Sequence, residues 1–252
     1  MWNIVIPQPV NPMERSSNPA LRDQLFYDNL VHGTENQMTL QGTINKTLLL
    51  LFLVIVSAAV TWEYFPDAGI FLIGAALGGF VVAIITIFKP AYSPFTSPVY
   101  AVLEGVFLGG VSVWMNTMYP GIVGQAVMLT FGVFVLLLVV FSTRLIRVTE
   151  TFKLVVIGAT GAIALLYIAN IVLSMFGMPI GFINDGGWLG IGFSLVVVVV
   201  ASLNLILDFD YIEKGVEHGL PKHMEWYAAF ALLVTLVWLY LEILRLLAKM
   251  RR

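Results

Sequence analysis

Residues 187–207, GWLGIGFSLVVVVVASLNLIL, run for twenty-one positions without one charged side chain. At 1.5 Å per residue, a helix of that length spans roughly 30 Å, the hydrocarbon thickness of a bilayer. Outward from it, six more apolar stretches of similar length lie at 45–63, 69–88, 98–118, 122–143, 153–176 and 226–247. Turn chemistry separates them: Phe65-Pro66-Asp67, Lys89-Pro90, Tyr119-Pro120-Gly121, and the run from Gly177 to Gly187 holding Pro179 and Asn184-Asp185. Trp62, Tyr64, Trp114, Tyr119, Trp188, Trp226 and Tyr227 fall near the ends of these stretches, where amphipathic rings favour the headgroup level. A membrane β-barrel would need alternating segments of about ten residues, which are absent. The reading is an all-α polytopic membrane protein: a polar tail over 1–43, then a seven-helix transmembrane domain over 44–252.

Composition agrees. Apolar residues make up 59% of the chain and charged ones 11%, against about 25% charged in a soluble domain. The net charge of −2 provides no basic stripe to neutralise phosphates, which argues against nucleic acid as a partner. With no cysteine, thiolate chemistry and Cys-ligated metals are excluded. The first twenty residues lack the basic, apolar and small-residue regions of a secretory signal. Within the tail, Asn18-Pro19 reads as a helix start, with Leu21, Leu25, Phe26 and Leu30 at helical spacing. Both a short surface helix and an irregular tail fit that pattern.

Basic residues set the expected orientation. Arg15, Arg22, Lys46, Lys89, Arg144, Arg147, Lys153, Lys214 and Lys222 all fall on one side of a seven-span chain, and the three intervening loops carry none. That bias puts the N-terminus in the cytoplasm. Arg245, Lys249, Arg251 and Arg252 oppose it. Either the seventh span crosses against the rule or it re-enters and returns, and its length favours crossing. Gly74/Gly78, Gly105/Gly109 and Gly158/Gly161 with Ala162 are small-residue faces suited to close helix packing, within one bundle before between copies.

Acids inside the spans are the candidate functional groups, because they are costly in hydrocarbon and usually face a bundle interior or a watery cavity. Glu104 lies in the third span, Asp208 and Asp210 end the sixth, and Glu242 sits late in the seventh, three residues before Arg245. Asp208 and Asp210 cannot face the same partner, so one looks into the bundle and the other toward water or a basic loop. Glu104 and Asp208 share a depth, and two carboxyls brought close there would share a proton and sense pH. These three are the gate and pH-sensing candidates, and Glu242 with Arg245 reads as a structural pair. His32, His218 and His223 occupy polar segments and are not read as metal ligands. No HExxH, GxSxG or P-loop occurs, and no histidine lies within a span to serve an intramembrane Ser–His protease. The chain is read as a non-enzyme without a cofactor.

SPVYAVLEGVFLGGVS (97–112), LNLILDFDYIEKG (203–215) and MEWYAAFALLVTLVWLYLEILRLL (224–247) together resemble the Bax inhibitor-1/YccA-like family, the transmembrane Bax inhibitor motif proteins. NPAL (18–21) and MTLQGTINKT (38–47) resemble its bacterial branch. The resemblance implies two three-helix layers around a central last helix. It also implies a pH-sensitive passive calcium leak sensed by an aspartate pair, in the inner (cytoplasmic) membrane. Asp208 matches one aspartate, but the partner position falls on Thr235, so the pair is not carried over intact. No basic residue lies within the second span to act as a latch. Glu104 is the substitute carboxyl this sequence offers. A second function implied for one branch is the binding and restraint of another membrane protein, such as a membrane-bound protease, through the tail.

Overall fold

The computed structural model describes residues 36–64 and 69–252. The tail helix expected around Pro19 lies outside the described residues. Seven long helices follow: α1 (Leu40–Tyr64), α2 (Gly69–Phe88), α3 (Ser93–Met118), α4 (Ile122–Ser142), α5 (Glu150–Met175), α6 (Trp188–Glu217) and α7 (Met224–Met250). All seven are long and apolar enough to cross a membrane. The chain is a multi-pass membrane protein.

Several helices outrun the apolar stretches that predict them. α3 begins at Ser93 rather than 98, because Pro94 sits in its first turn, where a missing N–H breaks no helical bond. α6 continues ten residues past 207, which keeps both aspartates helical. At the start of α5 the Thr149 hydroxyl accepts from Phe152 N at 3.1 Å, capping the helix.

α3 packs between α1 and α2, and α6 packs between α4 and α5, giving two three-helix layers. α7 runs between them against α1, α3, α4 and α6. In its most apolar window 61% of residues are buried, against 11–39% in the other helices, which makes it the central helix. Of the expected glycine faces, Gly105 and Gly109 carry a tight crossing. A Cβ on Gly109 would lie 2.6 Å from the Ala58 carbonyl oxygen of α1, so only glycine permits the α1–α3 approach. Gly158 and Gly161 face open space.

The bundle has an entry face, which carries the start of α1, and an exit face, which carries its end. On the exit face the four opposing cations near the end of α7 find their partners. Lys249 is buried and donates to Gly190 O (3.0 Å) and Ser194 Oγ (2.8 Å). Arg251 donates to Pro120 O (2.9 Å) and Gln125 Oε1 (2.8 Å), and Arg252 to the Tyr119 hydroxyl (3.1 Å). These partners lie in the α3–α4 connection and near the starts of α4 and α6, at the far end from His218–His223, so α7 crosses fully and does not return.

If the entry face is cytoplasmic, single cysteines at 120 and 178 will react with an impermeant thiol reagent added to whole cells. Those at 148 and 218 will react only after permeabilisation. The reverse pattern would invert the orientation.

Candidate functional site

Asp208 and Asp210 diverge as helical neighbours two apart must. Asp210 is half of an ion cluster: Lys214 Nζ lies 2.7 Å and Lys153 Nζ 3.5 Å from Oδ2, and the pair Arg144–Glu213 stands beside it. These groups border an entry-face hollow of about 220 Å³ between α6 and the α4–α5 connection. Asp208 turns the other way, toward α7. Its Oδ2 is buried and has no hydrogen-bond partner. The Thr235 hydroxyl is a near neighbour of the carboxyl, but it donates to the Ala231 carbonyl at 3.2 Å. A hydroxyl has one proton, so Thr235 serves either the helix carbonyl or Asp208.

Glu104 sits elsewhere. It lies in the α2–α3 seam, with a carboxylate oxygen 3.5 Å from where a Cβ on Gly79 would stand. Tyr100, one turn earlier, is within hydrogen-bonding reach. The buried Tyr100 ring meets Phe230 of α7 edge-on at 5.0 Å. Glu104 and Thr235 each lie eleven residues into helices that start on the entry face, about 16 Å along them, so the two acids share a depth. They are not brought together, because α7 stands between α3 and α6. A proton shared between Glu104 and Asp208 is thereby removed, and each acid stands alone.

Glu242 forms a triad near the exit end. Tyr167 OH and Arg245 Nη1 each donate to Oε1 at 2.9 Å, and the guanidinium lies 4.8 Å over the Tyr167 ring. This ties α5 to α7 and accounts for Arg245. Oε2 of Glu242 is buried without a partner.

Sequence reasoning missed Glu225. In the first turn of α7 it looks like a solvated acid favoured by the helix dipole, but it is fully buried. Thr39 donates to Oε1 through N (2.9 Å) and Oγ1 (2.7 Å), Lys222 lies 3.2 Å away, and Lys46 pairs with Oε2. Gly42 leaves the space for this carboxylate, since a Cβ there would collide with it. The signal was in MTLQGTINKT: Thr39, Gly42 and Lys46 recur at helical spacing on one face. Nearby, Met38 N donates to Leu220 O at 2.6 Å, and its buried side chain packs against Gly215. Among the described residues no three His, Asp or Glu are grouped to hold a metal ion.

A family model described as Bax inhibitor 1 like matches residues 18–252, and the chain belongs to that family, whose members are not enzymes. No curated protein matches the chain.

Lys46→Met strips a cation from a fully buried carboxylate and should cost on the order of 3 kcal/mol. Glu225→Gln in the same chain should recover part of the loss, because a neutral amide needs no cation. Thermal melting in detergent measures both, and an unchanged melting temperature for Lys46→Met would contradict the clamp.

Proposed function

We propose that this member of the Bax inhibitor-1-like family provides a passive, pH-tuned path for cations across the cytoplasmic membrane, with its entry face toward the cytoplasm. Calcium is the ion to which the family resemblance points. The observation that carries the reading is the Asp208 carboxyl, aimed at the central helix with one oxygen buried and unpartnered. A carboxylate in such a seam needs either a proton on it or a cation beside it. Proton and cation therefore compete for one place. Carboxylate and hydroxyl oxygens are hard ligands of the kind calcium takes, and Thr235 adds a second oxygen there. Asp210, already held by Lys214 and Lys153, is the anchor of α6 rather than the gate. Glu104 acts as a separate acid at the same depth. When pH falls, protonation removes the charge that draws the cation; when pH rises, flux increases.

A second reading, regulation of another membrane protein such as a membrane-bound protease, is favoured by one observation. Met38 and Thr39 strap the start of α1 to the α6–α7 turn and to Glu225. A partner engaging residues upstream of this strap would act directly on the central helix.

Calcium flux into proteoliposomes, followed against pH, tests the first reading. The parent should conduct more as pH rises, and Asp208→Asn should flatten the response. Because the two acids occupy different seams, Glu104→Gln and Asp208→Asn should combine additively in free energy. Thr235→Asp, which sets a second carboxyl beside the first, should move the midpoint. A parent-like profile in correctly inserted Asp208→Asn would remove Asp208 from the path.

Deleting residues 1–35 leaves the strap intact and separates the two readings. Flux should persist in the truncated protein while any control of a partner is lost. Loss of flux with the bundle still folded would show that the tail belongs to the path.

A further inference from the structure

One hollow in the bundle belongs to neither acid. It is a cleft of about 570 Å³ whose walls are α1 (Leu51 to Glu63) and α4 (Val123 to Phe131), and whose floor is α3 and α7. α1 and α4 hardly touch, so the cleft opens sideways, toward where lipid lies. On the floor the only polar side chains are Ser112 and Tyr240, which hydrogen-bond each other at 2.7 Å. The lining is otherwise almost wholly aliphatic and aromatic. At the exit-face end stand Trp62 and Glu63, and Glu63 is the one charged residue of the lining. It is exposed and has no ion-pair partner among the described residues.

We propose that this cleft is a binding site for a single glycerophospholipid of the exit leaflet, with one acyl chain between α1 and α4 and an amine-bearing headgroup against Glu63. Length supports the occupant. From Glu63 to Leu51 is twelve residues, about 18 Å of helix, and one leaflet's hydrocarbon is about 15 Å deep. A second transmembrane helix would enter from the side with its own polar backbone satisfied, and would answer Glu63 only if it carried a cation at that level. A zwitterionic ethanolamine headgroup sets an ammonium at that level, whereas a glycerol headgroup would set a net negative charge beside the carboxylate. Trp62 at the rim fits the same interface, its ring half in hydrocarbon and half at the headgroups.

The test uses the full-length protein in vesicles of phosphatidylethanolamine and phosphatidylglycerol, doped with either lipid carrying a photoreactive group in one acyl chain. After illumination, labelled residues are mapped by mass spectrometry. Phosphatidylethanolamine should label the cleft walls, Ala59 and Val127 among them, severalfold above the outward faces of α2 and α5, and above phosphatidylglycerol at the same sites. Ala59→Trp and, from the opposite wall, Val127→Trp should each abolish cleft labelling while leaving α5 labelled, which shows that the protein is still inserted. Glu63→Gln should keep the labelling but erase the preference between headgroups. Labelling spread evenly over every lipid-facing helix, or unchanged in both tryptophan variants, would overturn the site. Equal labelling by the two lipids in the parent would overturn the headgroup assignment. A cleft that lipid never labels, with crosslinks instead to a second copy, would assign it to a protein partner.

Discussion

Helix α7 can carry two acids, a lysine, a threonine and a tyrosine among its buried residues because it has almost no lipid face. In hydrocarbon there is no water to satisfy a polar group, so each must find its partner inside the protein. The two three-helix layers exist around α7 as a supply of such partners. α1 and the residue before it provide Lys46 and Thr39 for Glu225, α3 provides Ser112 for Tyr240, α5 provides Tyr167 for Glu242, and α6 provides Gly190 and Ser194 for Lys249. The carboxyl that this arrangement leaves short of donors on α6 is Asp208, at mid-depth beside Thr235.

The spans were legible because twenty uncharged residues leave few alternatives to crossing a bilayer, and the fork between Asp208 and Asp210 followed from helical geometry alone. The central position of the last helix came from resemblance and not from hydropathy, since 226–247 looks no different from its neighbours in composition. Depth along each helix could be counted, and it placed Glu104 and Asp208 at one level. It could not tell which helices adjoin. That is why the two acids seemed partners until α7 was found between them. The opposing cations of the seventh span were puzzling in sequence because their partners are mostly backbone carbonyls and hydroxyls, which carry no charge to match.

Thr235 stands where the resemblance implies a second aspartate. Where a second aspartate would allow two carboxyls to share a proton, a threonine offers one hydroxyl with a carbonyl already in reach. The pH response proposed here is therefore that of acids titrating independently, graded over an ordinary titration, and not the stepwise response of a coupled pair.

The same dependence of α7 on its neighbours bears on how the protein is made. An isolated α7 in the bilayer would expose Glu225, Tyr240, Glu242 and Lys249 with none of the donors or acceptors that other helices supply. A hydrophobic helix that stands alone stably can insert early, but one so burdened gains most of its stability only when the scaffold around it is already assembled. α7 follows the six others in chain order, so the helices that line its slot are synthesised before it. Biogenesis of the bundle thus ends with a keystone, and lesions in the groups that line its slot should be felt as failed maturation and proteolytic clearance rather than as an altered finished protein.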